Sequence, residues 1–350
     1  MSRKIFMVLF LFSTLLVAAT LHYDQEFKRI IDEMVVSGDI SSIGKIECAK
    51  GDCSVSDLTT VMADEESGLF STLSIKKFSL QNVEGFLSSK EEEHFLKEGE
   101  EQHFGIIAED IQEDGHSLLF NEEKMQKLYT KESATYKYFK KHFDAPTNLH
   151  YSADMHKRKG NDHIQDAAAI EVGAFTFGLK GKYTILGGLE VFNSVDEENY
   201  LGVLSAIVIN EIDFKIKNPK GFLRQLIYIN YKEKMVDANG SASRQTINES
   251  YYLEGDQSHT QEALINALQK NLKQVMAEMD KSETPMISIL NHDQQLSRKL
   301  DAILAGSSQS LQIKIENKKG RSLADMMTLY MGYSMQGKLL SDPEIKITIR

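Results

Sequence analysis

Four of the ten histidines stand near one another in the chain, at His142, His150, His156 and His163, with Asp144, Asp154 and Asp162 among them. Imidazole and carboxylate are the ligands a zinc-like ion takes from a protein, so this group is the candidate metal site. Zinc ligands carried on a helix recur about three to five residues apart, commonly as H-E-x-x-H. The intervals here are eight, six and seven, and Pro146, Thr147, Asn148 and Gly160 between the histidines read as loop.

The only two cysteines, Cys48 and Cys53, flank Ala-Lys-Gly-Asp. Apolar residues precede the first (Ile43, Ile46) and alternate after the second (Val55, Leu58, Val61), so a hairpin turned at Lys50-Gly51-Asp52 sets the thiols opposite each other. The pair reads as a structural disulfide. Two other chemistries share the residues: a redox pair, which usually has two intervening residues at a helix start, and half of a zinc site.

Other chemistry-bearing stretches have bland readings beside them. Acids dominate residues 87–123, including Glu91, Glu92, Glu93, Glu109 and Asp110, without the D-x-D-x-D-G spacing of a calcium loop. Phe95, Leu96, Phe104, Ile106 and Ile107 interrupt them, which suits a folded, helix-like segment with a solvated acidic face. Lysines follow, from Lys124 to Lys141, among Tyr136, Tyr138 and Phe139; short helices paired with the acidic block account for them without a polyanion. Asn239 opens N-x-S with Asp237 upstream, a glycosylation acceptor or an Asn-Gly hairpin turn. There is no G-x-S-x-G elbow, Walker loop or dinucleotide fingerprint after a strand, and no cofactor is implied. Paired carboxylates need no local signature, which leaves a hydrolase of envelope polymers as one alternative.

The elements that must position these residues begin after an apolar leader. Arg3 and Lys4 precede the run Ile5–Ala19, which closes on Val17-Ala18-Ala19, the small-residue pattern of a cleaved signal peptide. Export to the periplasm or beyond follows, with no stable membrane span after cleavage; an uncleaved inner-membrane anchor is the alternative. A net charge of -11 argues against nucleic acid as a partner. His22–Val36 has helical spacing, and 43–86 reads as a β-meander with a long strand from Phe70 to Leu80. Strands are expected again over 167–208, 201–218 and 222–235, with an edge strand at 243–253. Helices are expected over 259–279 and 284–305, covering one face of the sheet, and a further strand at the C-terminus. Residues 20–138 and 166–350 form the two regions, with 139–165 as a linker or loop.

Three segments share one pattern: Phe78-Ser-Leu80-Gln-Asn82-Val-Glu-Gly85, Phe214-Lys-Ile216-Lys-Asn218-Pro-Lys-Gly221 and Ile313-Lys-Ile315-Glu-Asn317-Lys-Lys-Gly320. Each reads as a half-buried strand entering a type I turn. Together with the leader they resemble exported bacterial envelope proteins of the AsmA-like, tubular lipid-binding kind. The likeness extends over three short segments and assigns no site residue. The fold expected is α+β, a long twisted antiparallel sheet with covering helices and a helix-rich last third. The function expected is non-catalytic binding of an apolar ligand such as lipid, or else a structural or protein-interaction module of the periplasm docking another envelope protein.

Overall fold

The computed structural model describes residues 23–63, 70–84, 96–118, 120, 122–194, 200–229, 262–270, 294–328 and 345–350. Helix α1 (Tyr23–Ser37) leads into strands β1 (Ile46–Ala49), β2 (Asp52–Ala63), β3 (Phe70–Gln81) and β4 (Glu101–Glu113). The short β5 (His116–Ser117) and helices α2 (Glu122–Leu128) and α3 (Ala134–Phe143) follow. Then come β6 (Thr147–Arg158), β7 (Asn161–Val172) and β8 (Phe175–Ile185), helix α4 (Tyr200–Ala206) and β9 (Ile207–Lys217). Helix α5 (Gln294–Leu304), β10 (Ser310–Asn317) and β11 (Ile345–Ile349) complete the named elements. Among the described residues the sheet runs β1-β2-β3-β4-β6-β7-β8-β9-β10-β11, every neighbour antiparallel, with β5 on β4. The fold is the expected α+β one, an open meander.

Tight hairpins make this order. Lys50-Gly51 and Lys159-Gly160 both have positive φ at two successive positions, the two-residue turn whose twist matches paired strands. The first sets Cys48 opposite Cys53, and the disulfide forms between them. The second corrects the reading of 139–165 as linker or loop: that stretch is the end of α3 and most of a long hairpin, β6–β7. Gly160 is the turn of the hairpin, not the mark of a longer loop.

One face of the sheet is apolar, and keeping it so requires a change of step. On β2 the inward residues are Val55, then Leu58; on β3, Phe78, then Ile75; on β4, Ala108, then Ile111. Each strand skips one residue between the same two cross-strand rows. Asp57 and Asp110 take left-handed φ at the skip. The inward set therefore changes parity in three adjacent strands together, which keeps the whole apolar row on one side. Helix α1 packs on this face over β2, burying Phe27, Ile30 and Ile31 on one helical stripe.

Several expected elements differ. Residues 101–113, expected in a helix-like acidic segment, are strand β4, because Phe104, Ile106 and Ala108 alternate inward while Glu101 and Glu109 face solvent. Residues 200–206 form α4 before β9 begins, and 222–229 are helical where a strand was expected. Apolar content alone does not separate a short buried helix from a strand. The three shared segments also part company at their turns. Gly320 N–H bonds Asn317 O as a type I turn requires, whereas Phe222 N–H bonds Pro219 O, one residue later, and Asn82 is itself left-handed. Two of these segments are neighbours, Phe214 standing opposite Ile313. The expected helices 259–279 and 284–305 are seen as helix at 262–270 and in α5; the leader, 243–253 and Asn239 lie outside the described residues.

Closing so short a loop with a disulfide is worth about 2 kcal/mol on the chain-entropy argument. Urea unfolding of Cys48→Ser, or of the reduced wild-type chain, is therefore expected to show a loss near that size. An unchanged midpoint would mean the bond adds nothing to the hairpin.

Candidate functional site

The four candidate histidines separate in space. His142 sits on α3, in an aromatic cluster with Tyr138, Phe143, Phe175 and Phe222, where ring centroids lie 4.4 to 5.6 Å apart for most neighbours. Burial, with Lys141 beside it, pushes its imidazole pKa down. His150 is on β6, opposite Ala169. Only His156 and His163 come side by side, as cross-strand partners on the polar face. There His156 Nδ1 lies 3.0 Å from Glu101 and His163 Nδ1 lies 3.1 Å from Thr184 Oγ1. His103 Nδ1 meets Asp154 at 2.6 Å in the next row. Further along, Lys314 reaches Glu211 and Glu316, and Gln312 reaches Asp213. Period-two alternation has gathered the polar residues into cross-strand pairs on the solvated side. Among the described residues, one group has three metal-ligand atoms within reach of one another, Asp24 with Cys48 and Cys53, and its two sulfurs are spent on each other.

A tighter polar constellation was not evident from the spacing. His116 Nδ1 faces both oxygens of Asp144, at 3.0 and 3.1 Å, and its Nε2 lies 3.2 Å from Glu122. Lys131 and the Tyr136 hydroxyl also bind Glu122, and Lys131 chiefly holds that carboxyl down at about 2. An Asp–His pair suggests general-base chemistry, but here both ring nitrogens are occupied by carboxylates, so neither remains to take a proton from a nucleophile. The arrangement fastens β5, α2 and α3 together. Residues 28 apart in sequence meet only because the helical pair folds back, which no local pattern announces.

The other face has the properties of a binding surface. One row runs Leu80 on β3, Ile106 on β4, Tyr151 on β6, Ala168 on β7, Leu179 on β8, Phe214 on β9 and Ile313 on β10. The row before it carries Phe78, Ala108, Leu149, Ile170, Phe177, Ile216 and Leu311. Cover changes along these rows. Phe78 and Leu80 are buried, whereas Ile170, Phe177, Phe214, Ile216 and Ile313 are only partly buried and Leu179 is 45% exposed. At one end the Phe143, Phe175 and Phe222 rings close the surface. At the other, fully buried Asp162 accepts the Leu189 N–H at 2.6 Å beside the Lys157–Glu190 pair.

Among the described residues, one acid stands inside these rows, short of the end that holds Asp162. Asp166 occupies an inward position between Ala153 and Gly181, with Tyr151 and Tyr183 one row to either side on the adjacent strands. A Cβ at Gly181 would overlap the ring and hydroxyl of Tyr183, so glycine lets this side chain lie across β8 towards Asp166. Burial raises the Asp166 pKa above its ordinary 3.8, with bonds from the Gly181 and Asp166 backbone N–H groups opposing it. Burial also lifts Tyr151 to about 12, and the nearby Asp166 charge adds to it; Tyr183 moves the same way for the same reasons. The one sequence signal for this site is an acid on the inward parity of Ile164, Ala168 and Ile170.

A carboxyl whose folded pKa is raised holds its proton longer in the folded chain. Its penalty is absent below the ordinary carboxyl range and sets in as pH rises through the raised value. Asp166→Asn is therefore expected to unfold at a higher temperature than wild type near neutral pH, with the difference vanishing below about pH 4. A variant less stable at neutral pH would show that the carboxylate is stabilised where it stands. In comparison with known proteins, the sequence matches no protein-family model and no curated protein at a significant level.

Proposed function

We propose that this chain is an exported binding protein of the bacterial envelope that holds an apolar ligand, such as a lipid, along the apolar face of β7–β10. The observation that carries the reading is the change of cover along these two rows: they are buried over β2–β4 and only partly buried over β7–β10, with Leu179 exposed. Single exposed apolar side chains are ordinary, but a contiguous apolar surface is a recognition site. Closed ends and a few polar groups within an apolar lining are the usual composition of a small-molecule site.

Export is supported by the basic-then-apolar leader and by the disulfide, a bond that persists in oxidising compartments. Among the described residues no helix is long and apolar enough to cross a membrane. The likeness of the three strand segments to AsmA-like, tubular lipid-binding proteins points to the same ligand class.

Native mass spectrometry of the purified protein is expected to show a co-purifying lipid mass. Leu179→Glu places a charge on the exposed part of the apolar rows and is expected to lower the bound fraction about tenfold or more, with little change in thermal unfolding. A clean protein mass that takes up no added lipid would overturn the reading and favour a protein-interaction module.

A further inference from the structure

We infer that the ligand is an amphiphile with a cationic nitrogen head, received by Asp166 between Tyr151 and Tyr183. The inference rests on the proposed apolar-ligand function and adds the chemistry of the head group to it.

Three observations converge on this spot. Asp166 takes its hydrogen bonds from backbone N–H groups, and among the described residues no basic side chain pairs with it. That contrasts with the polar face, where Lys182 and Lys314 flank Glu211 and Lys314 and Lys346 flank Glu316. The cation that would neutralise Asp166 is therefore not supplied from the surrounding rows, which present Ala153, Ile164, Ala168 and Ile212.

Second, the acid is framed by the two tyrosines of the apolar surface. Aromatic faces attract ammonium groups through their quadrupole, and a carboxylate beside them fixes the sign of the guest. A phosphate or carboxylate head would instead meet like charge in a partly desolvated position, which rejects it. Third, Gly181 lies directly beneath Tyr183, so the ring crosses the strand at the row of Asp166 instead of standing away from it. The Leu179–Phe214–Ile313 row adjoins, giving the apolar tail a place next to the head.

Isothermal titration of the full chain with three dodecyl probes below their micelle concentrations separates the two levels of the claim. The probes are dodecyltrimethylammonium, dodecyl maltoside and dodecyl sulfate. The cationic probe is expected to bind about tenfold more tightly than the neutral one, and the anionic probe least. Asp166→Asn is expected to bring the cationic probe to the neutral probe's Kd. In the wild-type chain added salt should narrow the same gap, a readout that needs no variant. Equal affinity for the cationic and neutral probes, or a gap that survives in Asp166→Asn, would overturn the head-group assignment and leave the apolar site standing. Binding of none of the three would overturn both.

Discussion

The structure depends on holding one apolar face through ten antiparallel strands. Side chains alternate along a strand, so any shift by one residue would send the whole inward set to solvent. The chain avoids this at the skip through β2, β3 and β4, where three neighbours change parity between the same two rows. Asp57 and Asp110 accept the left-handed backbone the skip requires. Short polar residues adopt that conformation more readily than bulky ones. A second shift between β8 and β9 keeps Ile209 and Ile212 on one side although they are three apart. Without these adjustments the sheet would expose its core on one half and bury charges on the other.

That constraint also separates a polar face from an apolar one. The polar face carries His103, His156, Glu211, Glu316 and Lys314 in cross-strand pairs, several of which join opposite charges in solvent. Such pairs contribute little individually, on the order of 1 kcal/mol or less. The apolar face is where a polar group is costly, and among the described residues Asp166 stands there without a basic neighbour. A site that binds is often one that forgoes some stability, and the raised acid between two tyrosines fits that description.

Much of the fold was legible because local rules agreed. The cysteine hairpin, the strand from Phe70, the lysine-rich short helices and the antiparallel architecture all followed from alternation, turn residues and capping. The failures share one cause: tertiary partners decided them. Residues 147–163 look like loop because histidines, asparagine and glycine lie along them, yet His150 and His156 face outward while Leu149, Ala153 and Met155 face the core. Phe222 looks like a strand residue but joins the ring cluster of α3 from a helix. Asp144, His116 and Glu122 meet through a folded-back helix pair, and Asp166 gains its setting only when β6 and β8 flank β7.

The central claim is that an apolar ligand lies on one identified face of β7–β10. Photocrosslinking of the full chain with a lipid carrying a photoreactive group in its acyl chain, followed by peptide mapping, tests it most directly. Adducts are expected on Leu179, Phe214 and Ile313. Adducts concentrated on Lys180, Asp213 and Lys314, which alternate with them on the opposite face, would contradict the account.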